Sequence, residues 1–300
     1  MNIIQPKPLQ KGDSVAIIST ARKININEIE AAITLLKEWE LKVVIGNTIG
    51  KEYCQYAGTD QERINDLQNM LNNDNIKAIW CARGGYGSVR LIDAIDFSKF
   101  KISPKWIIGF SDVTVLHSHI HNLGIKTLHA LMPITLKDNT IEAKNSLHAA
   151  LFNSPIRYKV PFSKYNKTGE STGQLVGGNL SILYSLTGSS SAINTDGKIL
   201  FIEDLDEYLY HIDRMMMNLK RNGYLSKIKG LIVGSMTKMH DNTISFGKNT
   251  QEIILDSVLE YDFPVCFNFP AGHINDNRTL IFGKEVSLVV TNSYTSLTVL

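Results

Sequence analysis

The stretch Lys105-Trp106-Ile107-Ile108-Gly109-Phe110-Ser111-Asp112-Val113-Thr114-Val115-Leu116-His117 decides how the rest of the chain is read. Trp106 to Ile108 form a short apolar run of the kind that makes a buried strand, and Val113 to His121 carry a helical pattern. Between them lies a tight turn bearing Ser111. A serine on a sharp strand-to-helix turn has its hydroxyl pushed outward. The amide that follows it then points to where an oxyanion forms when the hydroxyl attacks a carbonyl. The same residues also suit a plain helix cap, because Ser and Asp accept from the free amides of a first turn. The second glycine of G-x-S-x-G is missing, so the neighbouring sequence has to decide.

Outward from this stretch the first half of the chain alternates strand and helix. Strands are expected at Val15–Ser19, Leu41–Ile45, Ala78–Cys81 and Trp106–Ile108. Helices are expected at Asn27–Trp39, Gln61–Leu71, Val89–Ile95 and Val113–Asn122. The first of them places Ile29, Ala32, Ile33, Leu36 and Trp39 on one side. Such βαβ spacing predicts a mostly parallel sheet covered on both faces. Ligands collect at the carboxyl ends of such strands, where the glycine-flanked turns 83–87 and 109–112 fall.

After about residue 150 the pattern changes. Segment 151–172 is polar and turn-rich and reads as a linker between a domain over 1–150 and another over 173–300. In the second, strands are expected near 198–203, 230–236, 264–267 and 285–290, and helices near 179–187, 208–222 and 250–261.

Composition narrows the class. The chain has 300 residues, 43% of them hydrophobic, enough for two cores. A formal net charge of +2, with only a modest basic group at Lys220, Arg221, Lys227 and Lys229, argues against nucleic acid as a partner. No apolar run approaches the roughly 20 residues of a membrane span, and no signal peptide is recognisable, so a cytoplasmic setting is expected. Three cysteines at unpatterned spacing, Cys54, Cys81 and Cys266, suggest neither a disulfide framework nor a zinc site.

A serine nucleophile needs a base, and the base an orienting acid. Of the eight histidines, His117, His119 and His121 share one helix. Two of them stand at i, i+4, but no acidic third ligand accompanies them, so a solvated face is expected and no metal. His129 closes a strand and would line the site. His273, in Pro270-Ala271-Gly272-His273, follows the strand Val265 to Phe267 and suits a general base. Glu203 leaves the strand Lys198 to Ile202 and is the acid most suited to point into a site, while Asp204, Asp206 and Glu207 read as a solvated helix start. Met215-Met216-Met217 reads as core filling.

Arg83-Gly84-Gly85-Tyr86-Gly87 matches no phosphate-loop pattern. Its glycines let backbone amides approach a tetrahedral intermediate, with Gly85 N–H joining Asp112 N–H as oxyanion donors. Gly177-Gly178-Asn179 forms a second close-approach turn. Cys81, apolar in context, is a poor rival nucleophile.

These motifs together resemble the LD-carboxypeptidases, a family that includes the muramoyl-tetrapeptide carboxypeptidases of peptidoglycan recycling. The resemblance runs from Ala82–Arg90 through Gly109–Asp112, Gly177–Leu180, Ile202–Asp204 with Tyr210–Met215, to Pro270–His273. It implies a flavodoxin-like parallel-sheet N-terminal domain and a smaller β-rich α/β C-terminal domain. It also implies a Ser111, Glu203, His273 triad at the interface, a murein peptide substrate, no cofactor, and commonly a homodimer. Cleavage would release terminal D-alanine, whose carboxylate would be met by Arg83 or by Gly178 and Asn179. A related branch hydrolyses microcin C-type peptidyl-nucleotides and stacks the base on an aromatic loop residue. Tyr158 and Tyr165 could stack a base there, and no tryptophan occurs in 151–180. A third reading is a two-domain protein that binds a sugar or peptide without cleaving it. One departure from the family pattern, Thr279-Leu280-Ile281-Phe282-Gly283 without a proline, falls on the strand after the histidine.

Overall fold

In the computed structural model, which describes residues 3–300, the first domain is a three-layer α/β unit. Its elements are β1 (Ser14–Ile18), α1 (Glu30–Glu38), β2 (Lys42–Ile45), α2 (Asp60–Asn72), β3 (Ile76–Cys81), α3 (Ser98–Ile102), β4 (Trp106–Gly109), α4 (Thr114–Asn122), β5 (Thr127–His129) and α5 (Ile141–Leu151). The strands run parallel in the order β2-β1-β3-β4-β5, the flavodoxin-like arrangement. Strands β3 and β4 are apolar on both faces, as a sheet covered by helices on either side requires; Trp80 and Trp106 are fully buried. The expected helix Val89–Ile95 is instead a pair of 3-10 turns, Ser88–Arg90 and Ile92–Ala94.

The second domain contains β6 (Arg157–Pro161), β7 (Gly169–Asn179), α6 (Leu180–Ser185), β8 (Ile199–Leu205), α7 (Leu209–Arg221), β9 (Gly230–Thr237), α8 (Thr250–Val258), β10 (Val265–Cys266), β11 (Leu280–Phe282), β12 (Glu285–Val290) and β13 (Tyr294–Val299). Its seven-stranded sheet has the order β10-β9-β8-β7-β12-β13-β6. The pairs from β10 to β7 are parallel and those from β7 to β6 antiparallel.

Two expectations about the boundary fail. The presumed linker 151–172 holds β6 and the start of β7. Tyr158 pairs with Leu297, and Gly169 to Gly173 pair with β12, so its turn-rich composition reflects a sheet edge rather than a tether. Strand β11 leaves the second domain's sheet altogether and pairs antiparallel with β5, Leu280 opposite His129, completing the first sheet as its sixth strand. One apolar cluster accordingly runs from Trp80 and Trp106 through Phe282 and Phe201 to Val286 and Leu297. Among the described residues, no helix is long and apolar enough to cross a membrane.

Candidate active site

Ser111 stands at the carboxyl end of β4 with φ +62, a left-handed conformation that a residue with a Cβ adopts only under constraint. The constraint is visible. The Asp112 carboxylate is buried and accepts from Ser88 N at 2.9 Å and from Gly87 N at 3.3 Å, fastening the serine turn to the loop after β3. Burial pushes the Asp112 carboxyl up, against the pull of those amides. Arg63 lies behind the same loop, where a Cβ on Gly87 would come 2.4 Å from its Nη1, and it donates to Thr20 O at 2.8 Å and to Asp60.

Gly84 packs directly on Ser111. A Cβ placed there would lie 3.1 Å from Ser111 Cβ and 3.2 Å from its Oγ, so only glycine fits without displacing the serine. Among the described residues, the N–H groups of Gly85 and Asp112 have no acceptor within the protein, which leaves both amides free to donate to a bound group. Gly85 itself is exposed, with φ +109.

Strand β8 supplies Glu203, fully buried, and the loop after β10 supplies His273, with 15% of its side chain exposed. His273 Nδ1–H donates to Glu203 Oε2 at 2.6 Å. A carboxylate can only accept, so the proton sits on Nδ1 and the neutral ring offers Nε2 as a base. Burial of His273 works against its charged form, but Glu203 beside it more than compensates, and the imidazole pKa is raised above its ordinary value. The ring packs edge-on against Phe110, centroids 4.8 Å apart, which brings it to the residue before Ser111. No hydrogen bond joins Ser111 Oγ to His273 among the described residues; in hydrolases that bond commonly tightens only with substrate in place.

The other expected site residues fall elsewhere. Arg83 donates to Lys23 O (3.3 Å) and lies near the Glu28 carboxylate (4.0 Å). Gly178 and Asn179, expected to touch substrate, are interior. A Cβ on Gly178 would lie 2.4 Å from Thr114 Oγ1, because here β7 packs straight onto α4. Asn179 is 5% exposed, and its amide donates to Glu203 Oε1 (3.3 Å) and Asp204 Oδ1 (2.9 Å) while its oxygen caps α6 at Ile182 N. Asp204, expected in a solvated helix start, is 2% exposed, since it continues β8.

The helix α4 histidines also differ from expectation. His117 and His121 are buried rather than solvated, and His117 Nε2 donates to Gly109 O at 2.9 Å. His129 is fully buried between Phe110, Phe201 and Phe282. Met215 and Met216 fill the core as expected, and burial lifts the Cys81 thiol to about 12, which leaves it inert.

A parallel-sheet domain carrying a strained serine, joined to a second sheet carrying a buried carboxylate–imidazole pair, defines a two-domain hydrolase architecture. Residues 15–130 match the LD-carboxypeptidase N-terminal domain and residues 172–288 the LD-carboxypeptidase C-terminal domain; the chain belongs to this family. It is 34% identical to the probable murein peptide carboxypeptidase of Bacillus subtilis, over 95% of this chain and 91% of that protein. The structure of muramoyltetrapeptide carboxypeptidase from Oxalobacter formigenes superposes with a TM-score of 0.87 at 26% identity, over 95% of this chain and 98% of that one. The microcin C7 self-immunity protein MccF of Escherichia coli is a more distant member, 26% identical over 97% of this chain and 94% of that protein.

Proposed function

We propose that the chain is a serine LD-carboxypeptidase that releases the terminal D-alanine of murein tetrapeptide. The observation that carries this reading is the buried His273–Glu203 pair, held at 2.6 Å and packed on the residue that precedes Ser111. Ser111 Oγ attacks the carbonyl between the third residue and D-alanine. His273 Nε2 takes the hydroxyl proton and returns it to the departing amine, and Glu203 holds the imidazole in the required tautomer. The free amides of Gly85 and Asp112 receive the oxyanion of the tetrahedral intermediate. Water then attacks the acyl-enzyme along the same route in reverse.

The family relation to MccF keeps a peptidyl-nucleotide substrate in view, but the two tyrosines of 151–180 that could stack a base are committed. The Tyr158 ring is buried, with its hydroxyl donating to Thr279 O at 2.7 Å, and the Tyr165 hydroxyl accepts from Asn249 Nδ2 at 2.9 Å. The chain's three tryptophans, Trp39, Trp80 and Trp106, all lie in the first domain. These facts favour the murein peptide.

The test is incubation of the purified protein with L-Ala-γ-D-Glu-meso-diaminopimelate-D-Ala and detection of D-alanine by mass spectrometry. Release by the wild type and its loss in Ser111→Ala is the expected result. Release that survives in Ser111→Ala, or no release from folded wild type, would overturn the proposal.

A further inference from the structure

The Glu203–His273 pair does not stand alone. On the side of Glu203 away from the imidazole lies a second buried carboxylate, Asp204, and one side-chain amide touches both. We infer that Asp204 is a positioning residue for the Glu203–His273 pair: it fixes the Asn179 amide that donates to Glu203, and it adds a second negative charge behind His273. The inference rests on the reading of Ser111, Glu203 and His273 as a triad.

The hydrogen bonds admit only one orientation of Asn179. Its oxygen accepts from Ile182 N at 3.1 Å, and its NH2 donates to Asp204 Oδ1 at 2.9 Å and to Glu203 Oε1 at 3.3 Å. A flipped amide would set its oxygen against two carboxylates and its NH2 against a backbone N–H, losing all three bonds. The shorter of the two donations goes to Asp204, so that residue holds the amide in place. Asp204 is itself fixed by Leu205 N and Ser181 N, each at 2.9 Å. Glu203 is thus held at both oxygens, Oε1 by Asn179 and Oε2 by His273. Gly272 closes the remaining side, since a Cβ there would lie 2.7 Å from Glu203 Oε2. The same asparagine reaches the nucleophile's helix, where its backbone N–H donates to Thr114 Oγ1 at 3.0 Å. One residue backed by Asp204 therefore connects the acid of one domain to the serine-bearing helix of the other.

The charges around His273 are Glu203 and Asp204 from β8, Lys238 from the segment after β9, and His129, neutral, from β5. The charge of Asp204 changes near neutrality. Burial and the neighbouring Glu203 push it up to about 7, against the three N–H donors that pull it down. Protonation of Asp204 then weakens the hold of His273 on its own proton, so the two groups titrate as a coupled pair.

The experiment is an NMR pH titration of His273 in wild type and Asp204→Asn, beside the pH profile of D-alanine release. Asp204→Asn is expected to lower the His273 midpoint by about 0.5 to 1 pH unit. It should carry the acid limb of kcat/KM down with it and lower kcat about tenfold or more with little change in KM. A residue that only maintains the fold would not move the midpoint; an unmoved midpoint in folded Asp204→Asn overturns the inference. Should that variant not fold, the wild type suffices. With carboxyl-labelled aspartate, the His273 resonance is expected to show a second inflection at the midpoint of Asp204, and a single-step curve overturns the inference. The titrations need no turnover, so an inert wild type with coupled titrations would sink the proposed reaction and leave the positioning role standing.

Discussion

Replacing Glu203 by glutamine removes one charge from the site and almost no volume. In the native protein the carboxylate meets His273 Nδ1 at 2.6 Å, with Glu203 fully buried and His273 15% exposed, so solvent screens the pair little. At an effective dielectric near 20, a full charge about 4 Å from the imidazolium centre contributes about 4 kcal/mol. That corresponds to about 3 units of His basicity. Without it, burial acts on His273 unopposed by its main partner, and the pKa, raised in the native protein, falls below the ordinary 6.5. The proposed reaction requires neutral His273, so wild-type kcat/KM is expected to be lost as pH falls through the raised pKa, and in Glu203→Gln the acid limb moves to lower pH. The plateau drops by about 10³ to 10⁴, because a glutamine amide can present either its oxygen or its nitrogen and no longer enforces the tautomer with Nε2 free. Stability carries the matching sign. A raised imidazole pKa contributes stability that is fully present below 6.5 and lost as pH rises through the folded value, so the wild type's advantage from this pair is largest in acid. The assay is D-alanine release across pH 5 to 9, with urea unfolding of both proteins at the two ends. An unmoved acid limb together with a plateau within tenfold of wild type would refute the electrostatic reasoning.

Three further outcomes are expected. Gly84→Ala sets a methyl 3.1 Å from Ser111 Cβ, so the serine must shift by a few tenths of an ångström; kcat should fall about tenfold with the thermal midpoint little changed, and full kcat would show that the turn relaxes freely. Gly178→Ala drives a methyl to 2.4 Å from Thr114 Oγ1 at a backbone φ of +146, and urea denaturation should record a loss of about 2 to 4 kcal/mol. In acid, burial holds His117 and His121 at about 4 and His129 well below 6.5, so the native state keeps all three neutral while the unfolded chain protonates them. Depressed folded values give stability that is present above 6.5 and lost as pH falls toward 4. Less the proton that Asp204, held at about 7 in the native state, gives up on unfolding, a net uptake of about two protons predicts a loss of about 3 kcal/mol per pH unit in that window. A flat urea midpoint between pH 6.5 and 4.5 would contradict it.

The serine turn was legible because every signal for it is local: an apolar strand, a glycine, then a helical pattern within thirteen residues. Glu203 and His273 stand out as candidates for a similar reason, one carried on the apolar strand β8 and the other in the loop that follows β10. Misreadings came where the decisive partner is distant in sequence. Segment 151–172 has the composition of a loop, yet Gly169 pairs with Val290 and Tyr158 with Leu297, and no local pattern announces a partner more than 100 residues away. Arg83 reads as a carboxylate anchor because its charge is visible in the sequence, whereas its contacts with Lys23 O and Glu28 are set by the fold. Asp204 was hidden among other acids. In the sequence it is one of a charged run, while in the strand it is the residue after Glu203, still inside β8 and still buried.

The two-sheet design explains why glycines crowd at 177 and 178 rather than at the nucleophile alone. In the proposed triad the serine comes from one sheet and the acid and base from the other, so the proposed reaction requires the end of β7 to approach α4 far more closely than ordinary packing of side chain on side chain allows. Any Cβ at Gly177 would lie 1.9 Å from Phe201 O, and one at Gly178 would strike Thr114. With both side chains absent, the backbone passes close enough for Asn179 N to reach Thr114 Oγ1 at 3.0 Å while its side chain turns the other way to Glu203 and Asp204. Strand β11 fixes the same approach from the far side, because the chain that leaves His273 goes directly into the first sheet, beside β5. The distance between serine and histidine is therefore set by two attachments, one through glycines and one through a shared sheet. A loosened attachment should lower turnover before it lowers stability, since the nucleophile and its base sit on opposite sides of the joint.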